Sequence, residues 1–188
     1  MFDPNEEIIE EEIIAEEQYE EETIDISRVS KTVKGGKRLK FRVLIVAGNG
    51  NGLVGVGLGK SDQIPVAIQK AINSAKRDLI KVPLKGKTIP YDVKDKCGST
   101  IVYLTPAVSG TGIIAGGAAR KILDKAGIKD VIGKIYGSSN AVNVARATIN
   151  ALKQLDDPVV IAKMRGVTLK QLFGIWWLED YLWQSWRI

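Results

Sequence analysis

Between residues 53 and 59 glycine alternates with aliphatic residues, in the order Leu-Val-Gly-Val-Gly-Leu-Gly. A period of two is typical of a β-strand, so after Leu53 one face of this strand consists of Gly55, Gly57 and Gly59. A face without side chains admits another backbone at close range. That backbone belongs either to the helix that follows, which the sequence favours, or to a bound RNA strand. The segment therefore predicts a strand with a close partner on its glycine face.

The same stretch contains two partial nucleotide-binding motifs, and its context argues against both. Gly50, Gly52 and Gly55 satisfy the GxGxxG spacing of dinucleotide-binding folds, which require a helix to begin there. The period of two predicts a strand instead. A phosphate-binding P-loop ending at residues 59–61 would need a glycine where the chain has Val54. We therefore expect neither ATP nor NAD to bind this loop.

Hydrophobic periodicity and turn residues predict an α+β chain in two parts. The first part is β-β-β-α, with strands at 26–34, 39–47 and 53–59, turns at 35–36 and 48–51, and a helix from 63 to 79. The second part is β-β-α-β-α, with strands at 89–93, 100–105 and 128–135 and helices at 118–126 and 141–152. The predicted organisation is a disordered acidic tail at 1–25, domains at 26–84 and 88–154, and an extension at 155–188.

Charge is distributed unevenly along the chain. Residues 1–27 contain ten glutamates and two aspartates and neither lysine nor arginine, and such a dense run of like charges resists compaction. The remaining residues hold ten of the 22 acids against all 27 lysines and arginines, a net charge of +17. A body this basic indicates a polyanionic partner such as RNA, although a solvated basic surface would have the same composition.

Missing residue types exclude several classes of function. Without histidine the chain lacks the commonest general base and metal ligand, and Cys97 alone can form neither an internal disulfide nor a thiolate cluster. No apolar run reaches the roughly 20 residues that span a membrane. Residues 1–27 lack the basic segment of a signal or transit peptide. We expect no catalytic residue, metal, cofactor or membrane partner.

Four long blocks of sequence resemble the family of small-subunit ribosomal protein five. They are RVSKTVKGGKRLKFRVLIVAGNGNGLVGVGLGK at 28–60, IPVAIQKAINSAKRDLI at 64–80, SGTGIIAGGAARKIL at 109–123 and YGSSNAVNVARATINAL at 136–152. The resemblance covers roughly residues 28–172. It implies a first subdomain like the double-stranded-RNA-binding fold. It implies a second subdomain of the α/β type that is shared with a class of small-molecule kinases.

The resemblance also implies partners and a location. Members of this family bind small-subunit ribosomal RNA and contact the neighbouring ribosomal proteins four and eight. They lie near the path by which messenger RNA enters, and they affect decoding accuracy. The chain resembles bacterial and organellar forms, and KVPL at 81–84 and ARATINAL at 145–152 resemble plastid relatives. We therefore expect a plastid (chloroplast) ribosome in the stroma, with the bacterial cytoplasm as the alternative.

Two segments are predicted to bind RNA. The resemblance makes the hairpin around the Gly-Gly turn an rRNA contact, and its residues agree, because glycine amides can approach phosphates while basic side chains attract them. In the second segment, YGSSN, Tyr136 either stacks on a base or packs in the core. The polar residues of this segment and of the helix after it either cap that helix or meet RNA. The predicted residues are Arg28, Lys31, Lys34, Gly35, Gly36, Lys37, Arg38, Lys40, Lys60, Tyr136, Ser138, Asn140, Asn143 and Arg146.

The glycine-rich segment 109–117 resembles the phosphate loop of the related kinases, which precedes a helix N-terminus. A kinase also needs acidic residues to hold magnesium, and none lies between Asp95 and Asp124. In the family this loop faces protein four. The resemblance therefore implies a protein interface at Gly112, Gly116, Gly117 and Arg120.

Two other functions stay open at this point: a free-standing regulator that binds double-stranded RNA, and a small-molecule kinase. Two segments also depart from the family pattern. The acidic tail has no counterpart there, and the end of the chain beyond residue 172 contains all four tryptophans. Such an aromatic segment could dock on a partner.

Overall fold

The first half of the chain is an antiparallel meander with one helix packed on it. The computed structural model describes residues 19–167. Its first elements are β1 (Glu20–Val33), β2 (Gly36–Gly48), β3 (Leu53–Ser61), α1 (Ile64–Arg77) and β4 (Ile80–Lys81). Sheet 1 has the order β1-β2-β3-β4, and every neighbouring pair is antiparallel. The β-β-β-α order is confirmed, and β4 was missed because two residues show no periodicity.

Helix α1 lies directly on the glycine face of β3. A Cβ atom on Gly57 or Gly59 would collide with the carbonyl oxygens of Ala71 and Ala67. The two spacings match, since four helical residues rise about 6 Å and two strand residues about 6.6 Å. An alanine at every fourth helical position therefore meets a glycine at every second strand position. The prediction that a helix occupies this face is confirmed.

The second half is a four-stranded sheet with two helices on one face. Its elements are β5 (Val93–Cys97), β6 (Thr100–Pro106), β7 (Ile113–Ile114), α2 (Gly117–Lys125), β8 (Val131–Gly137) and α3 (Ala141–Lys153). Sheet 2 has the order β5-β6-β8-β7, with β7 parallel to β8 and the other pairs antiparallel. The predicted α+β class is confirmed, and β7 is an additional short strand inside the glycine-rich segment.

The predicted strand at 89–93 is wrong. Ile89 is fully buried, but it lies in a loop, and β5 begins at Val93. A tight turn at Gly98, whose φ is +60°, pairs Cys97 with Thr100 and so places the strand next to β6. The apolar residues of 89–93 indicated burial and not pairing in a sheet. The start of β8 is likewise later than predicted, at Val131 rather than 128.

The two halves share one hydrophobic core. Leu44 and Val54 of sheet 1 belong to the same buried cluster as Leu123 of α2 and Leu152 of α3. The described chain up to Leu155 forms one compact unit. The predicted boundary at 84–88 therefore separates two sheets but not two cores.

The Asn/Gly turn between β2 and β3 joins the halves. The amides of Gly50 and Gly52 donate hydrogen bonds to the carbonyl oxygens of Lys125 (3.1 Å) and Ala126 (2.9 Å). These carbonyls lie at the end of α2, where a helix leaves its last carbonyls without partners. The glycine amides thus bind a helix end, which leaves them unavailable to a nucleotide phosphate.

The prediction of a disordered tail at 1–25 is wrong for residues 20–25, which form the start of β1 and pair with β2. Repulsion between the glutamates was the reason to expect disorder, but lysines of α1 and α2 lie next to this strand and neutralise the glutamates. Ile24 packs against the shared core. The ion pairs are Glu20–Lys125 at 2.7 Å, Glu21–Lys76 at 3.0 Å and Glu22–Lys121 at 3.1 Å. Residues 1–18 of the predicted tail lie outside the described residues.

The Glu20–Lys125 pair changes the ionisation of both side chains. The hydrogen bond from Lys125, and then its charge, hold the pKa of Glu20 below the ordinary 4.5. The same hydrogen bond raises the pKa of Lys125 above the ordinary 10.5. Whatever stability the Glu20 shift contributes is present above pH 4.5 and is lost as pH falls through the lowered pKa.

Helix α4 (Pro158–Arg165) belongs to a second unit of the chain. Asp157 begins it as an N-cap, accepting a hydrogen bond from the Val159 amide at 2.9 Å, and Gly166 ends it with φ of +64°. Of the predicted extension at 155–188, the tryptophan-rich part lies outside the described residues. Among residues 19–167 no helix is long and apolar enough to cross a membrane.

Candidate RNA interface

The β1–β2 hairpin presents an open turn. Its two turn residues are Lys34 and Gly35, and Gly36 opens β2 opposite Val33. Both glycines have positive φ, +93° and +145°, and a Cβ on either would meet no atom within 4 Å. The backbone at this tip is therefore accessible, as contact with a phosphate requires.

The basic side chains of the hairpin lie on two different faces. Lys31 pairs with Arg38, and Val29 pairs with Lys40, so these side chains point to one side of sheet 1. Together with Lys60 of β3 they line a cleft of about 290 Å³. We call this side the cleft face; towards the other end of the strands it packs on the shared core.

The opposite side of the hairpin faces the α1 layer and carries Arg28 and Lys37. These two residues alternate with the cleft-face residues along β1 and β2. The exposed apolar side chains Ile26 and Leu39 lie on the same side. The six basic hairpin residues that the sequence predicted as one cluster are therefore divided by the sheet.

Arg42 is a cleft-face residue that the sequence analysis missed. It pairs with Lys60 across β2 and β3, and its Nε donates a hydrogen bond to Ser27 Oγ at 3.1 Å. The spacing 38, 40, 42 along one strand was the signal that could have identified it. Asp62 offsets part of this charge, because it forms an ion pair with Lys40 at 3.6 Å. Both partners are solvent-exposed, so the pair is weak.

The residues predicted around YGSSN separate into structural and exposed ones. Asn140 Oδ1 accepts a hydrogen bond from the Val142 amide at 3.2 Å, so it caps α3, and Ser138 Oγ accepts one from the Asn140 amide at 3.3 Å. The capping interpretation is thus confirmed for Asn140. Asn143 lies beside the β5–β6 turn at Gly98. Tyr136 is 52% exposed, so the core alternative for this side chain is wrong.

Arg146 lies next to the cleft face and is not part of a site with Tyr136. It lines a groove of about 320 Å³ with Leu58, Asp78 and Lys153. Leu58 is two residues from Lys60 on β3, so its side chain points to the same side of sheet 1. The cleft and the groove therefore adjoin along one strand. Sequence spacing alone could not show this neighbour.

The glycine-rich loop before α2 is held from inside by a buried acid. Asp130 is 4% exposed, and its Oδ1 accepts hydrogen bonds from the amides of Gly110 at 2.9 Å and Gly112 at 3.0 Å. These amides are the donors that a phosphate would need, and a carboxylate already occupies them. This contact argues against the phosphate-loop interpretation. Among residues 19–167 no three histidine, cysteine or acidic side chains are placed to hold a metal ion.

The predicted protein-interface residues lie around the start of α2. A Cβ on Gly112 or Gly117 would meet no atom within 4 Å, so both positions are open to a neighbour. Gly116 is different, because a Cβ there would lie 2.6 Å from Ile135 Cδ1. Arg120 is exposed on the first turns of α2. Gly112, Gly117 and Arg120 thus fit an interface, whereas Gly116 serves internal packing.

Comparison with known proteins identifies the family. The family model for the N-terminal domain of ribosomal protein S5 matches residues 19–83, and that for its C-terminal domain matches residues 95–165. Small ribosomal subunit protein uS5 of Fusobacterium nucleatum is 48% identical over 157 residues, covering 84% of this chain and 96% of the relative. The Pseudomonas fluorescens protein of the same name is 49% identical over 158 residues, covering 84% and 95%. That of Thermotoga neapolitana is 48% identical over 157 residues, covering 84% and 88%.

The matches agree with the resemblance stated from the sequence blocks, and the first of them begins just before β1. Two domain models match in the expected order, and the relatives share nearly half of the aligned residues. The chain therefore belongs to the ribosomal protein S5 family.

Proposed function

We propose that this chain is a structural component of the small ribosomal subunit and binds the rRNA of that subunit through the cleft face. The observation that carries the proposal is the alignment of Lys31, Arg38, Lys40, Arg42 and Lys60 on one side of sheet 1. Duplex RNA is recognised mainly by its shape and phosphates, which suits a row of cations beside an accessible turn. The relatives named small ribosomal subunit protein uS5 support the location.

Arg146 extends the proposed RNA surface along the groove next to the cleft. Lys34 contributes charge at the hairpin tip. Asn140 acts by capping α3, and Ser138 acts by accepting a hydrogen bond from the Asn140 amide, which holds the cap in place. Arg28 and Lys37 are assigned a minor part, because they lie on the opposite side of the sheet with fewer cations around them.

The proposal also includes protein partners. The loop 109–120 would contact ribosomal protein four, and the chain would also contact protein eight and lie near the path by which messenger RNA enters. These assignments rest on the family resemblance; the open surface at Gly112, Gly117 and Arg120 supports the first. A plastid ribosome stays a prediction, and the bacterial relatives fit a bacterial ribosome equally. No catalytic role is proposed.

Sedimentation tests the ribosomal assignment against its rivals. A tagged copy of the full chain, produced in bacteria depleted of their own family member, is expected to travel with the small subunit through a sucrose gradient. Assembly in place of the host protein should restore growth. Accumulation of the tag at the top of the gradient, with RNA binding retained, would instead identify a free-standing regulator.

Variants of the loop 109–120 test the protein contact. At Gly112, φ is +76°, so Gly112→Arg adds backbone strain and bulk at an open surface. Arg120→Leu removes a fork of donors that suits a carboxylate on a partner. We expect each change to weaken binding to ribosomal protein four about tenfold or more while rRNA affinity stays unchanged.

If subunit closure during decoding breaks this contact, the same two variants should raise misreading in a near-cognate reporter. Lys129→Gln, which changes an exposed cation near the loop, serves as the control. Normal partner affinity and normal accuracy in both loop variants, with normal incorporation into subunits, would reduce the loop to an internal structural role.

A further inference from the structure

Within residues 19–155, sheet 2 has one face without a helical layer. Helices α2 and α3 cover the side on which Val102 and Leu104 of β6 are fully buried. Residues that alternate with these point the other way, and within the described chain that side is solvent-accessible. Tyr136 is 52% exposed and Ile132 is 44% exposed on this side of β8. A half-exposed tyrosine on an open sheet is available to a ligand.

The strand register arranges basic and aromatic side chains in rows on this open face. Residues that pair directly across neighbouring strands have side chains on the same side. Two adjacent rows result: Lys94–Tyr103–Lys134 and Lys96–Ile101–Tyr136. The three lysines are exposed. Two aromatic rings on neighbouring strands are thus surrounded by three cations; we call this set the β5–β8 platform.

The acidic groups near the platform do not neutralise it. Asp92 Oδ2 accepts a hydrogen bond from the Tyr103 hydroxyl at 3.0 Å, which also orients the ring. Asp95 pairs with Val102, so its side chain points to the helix-covered side. The platform therefore has positive potential around oriented rings. That combination fits a polyanion that also offers flat, apolar surfaces.

We propose that the β5–β8 platform binds a single-stranded RNA segment, whose bases stack on Tyr103 and Tyr136 and whose phosphates contact Lys94, Lys96 and Lys134. Four-stranded sheets with exposed aromatic residues bind unpaired nucleotides in this way, because every base has a face that can stack. A duplex keeps its bases stacked within the helix and cannot use the rings. The platform goes beyond the proposed function, since it is a separate surface with a different class of RNA ligand from the cleft face.

The test compares two RNA probes on the full-length protein. The probes are a fluorescent oligouridylate of about 12 nucleotides and a blunt duplex of about 16 base pairs. Tyr136→Leu is expected to weaken oligouridylate binding roughly 5- to 100-fold, because one stacked base is lost, without changing duplex affinity. Tyr136→Phe keeps the ring and should bind nearly as the wild type. Ile132→Ala, an exposed change on the same strand and face, is the matched control and should have no effect.

Salt dependence separates stacking from charge. Tyr136→Leu should shift the plot of log affinity against log salt without changing its slope, whereas Lys134→Gln should reduce the oligouridylate slope by about 0.7. Wild-type oligouridylate affinity in Tyr136→Leu and Lys134→Gln, with unchanged melting curves, would overturn the proposal. If these variants keep their oligouridylate affinity but no longer bind a purified ribosomal protein, the platform is a protein-binding surface instead. Variants of the cleft face distinguish the two proposals, because those variants should weaken duplex binding and leave oligouridylate binding unchanged.

Discussion

Replacing Gly57 with alanine is expected to destabilise the protein by about 3 kcal/mol or more. The new Cβ would collide with the carbonyl oxygen of Ala71 and lie 2.5 Å from the amide nitrogen of Ala75. Both obstacles are backbone atoms of α1, which cannot rotate aside as a side chain can. Helix α1 must therefore move away from β3, which opens the packing of Val43 and Ile45 as well.

The sign of this effect is informative because strand propensity acts in the other direction. Alanine in a strand interior is favoured over glycine by roughly 0.5–1 kcal/mol, so a loose helix would make Gly57→Ala stabilising. Urea unfolding followed by circular dichroism measures the difference. Gly117→Ala is the control, since that Cβ meets no atom within 4 Å in the first turn of α2, and it should be neutral or slightly stabilising. Equal stability of Gly57→Ala and wild type would refute the close packing.

The glycine alternation was a strong predictor because it constrains the backbone itself. A strand face without side chains requires a close partner, and the alanines of the next amphipathic helix supplied it at matching spacing. The division of the hairpin charges was also present in the sequence. Alternation along β2 places Arg42 with Arg38 and separates both from Lys37, although the turn lies at Lys34 and Gly35 and not at the predicted 35–36.

Other features could not be predicted, because they depend on contacts between residues far apart in the chain. The bonds from Gly50 and Gly52 to the end of α2 link segments about 75 residues apart. The buried carboxylate of Asp130 inside the glycine-rich loop depends on the position of β8. Glu20 is the clearest case, since local charge density predicted disorder and distant lysines stabilise a strand. Local sequence patterns cannot identify partners that are distant in the chain.

Removing two cations from the cleft face is expected to weaken binding to a transcript of the small-subunit rRNA roughly 30-fold at physiological salt. The change is Arg38→Ala with Lys60→Ala, and both residues line the same cleft. Each lost phosphate contact should lower the slope of log affinity against log salt by about 0.9, so the double variant should lose about 1.8. Both side chains lie at the surface, and folding should be unaffected.

The matched control removes one arginine and one lysine from the other side of the same hairpin, as Arg28→Ala with Lys37→Ala. Net charge falls equally in the two double variants, so non-specific attraction falls equally. Only the position of the charge differs, because β1 and β2 direct these residues away from the cleft. We expect the control to lose less than about 0.5 in slope. Filter binding across a salt series measures both, and equal losses in the two variants would mean that the RNA responds to total charge and not to the cleft face.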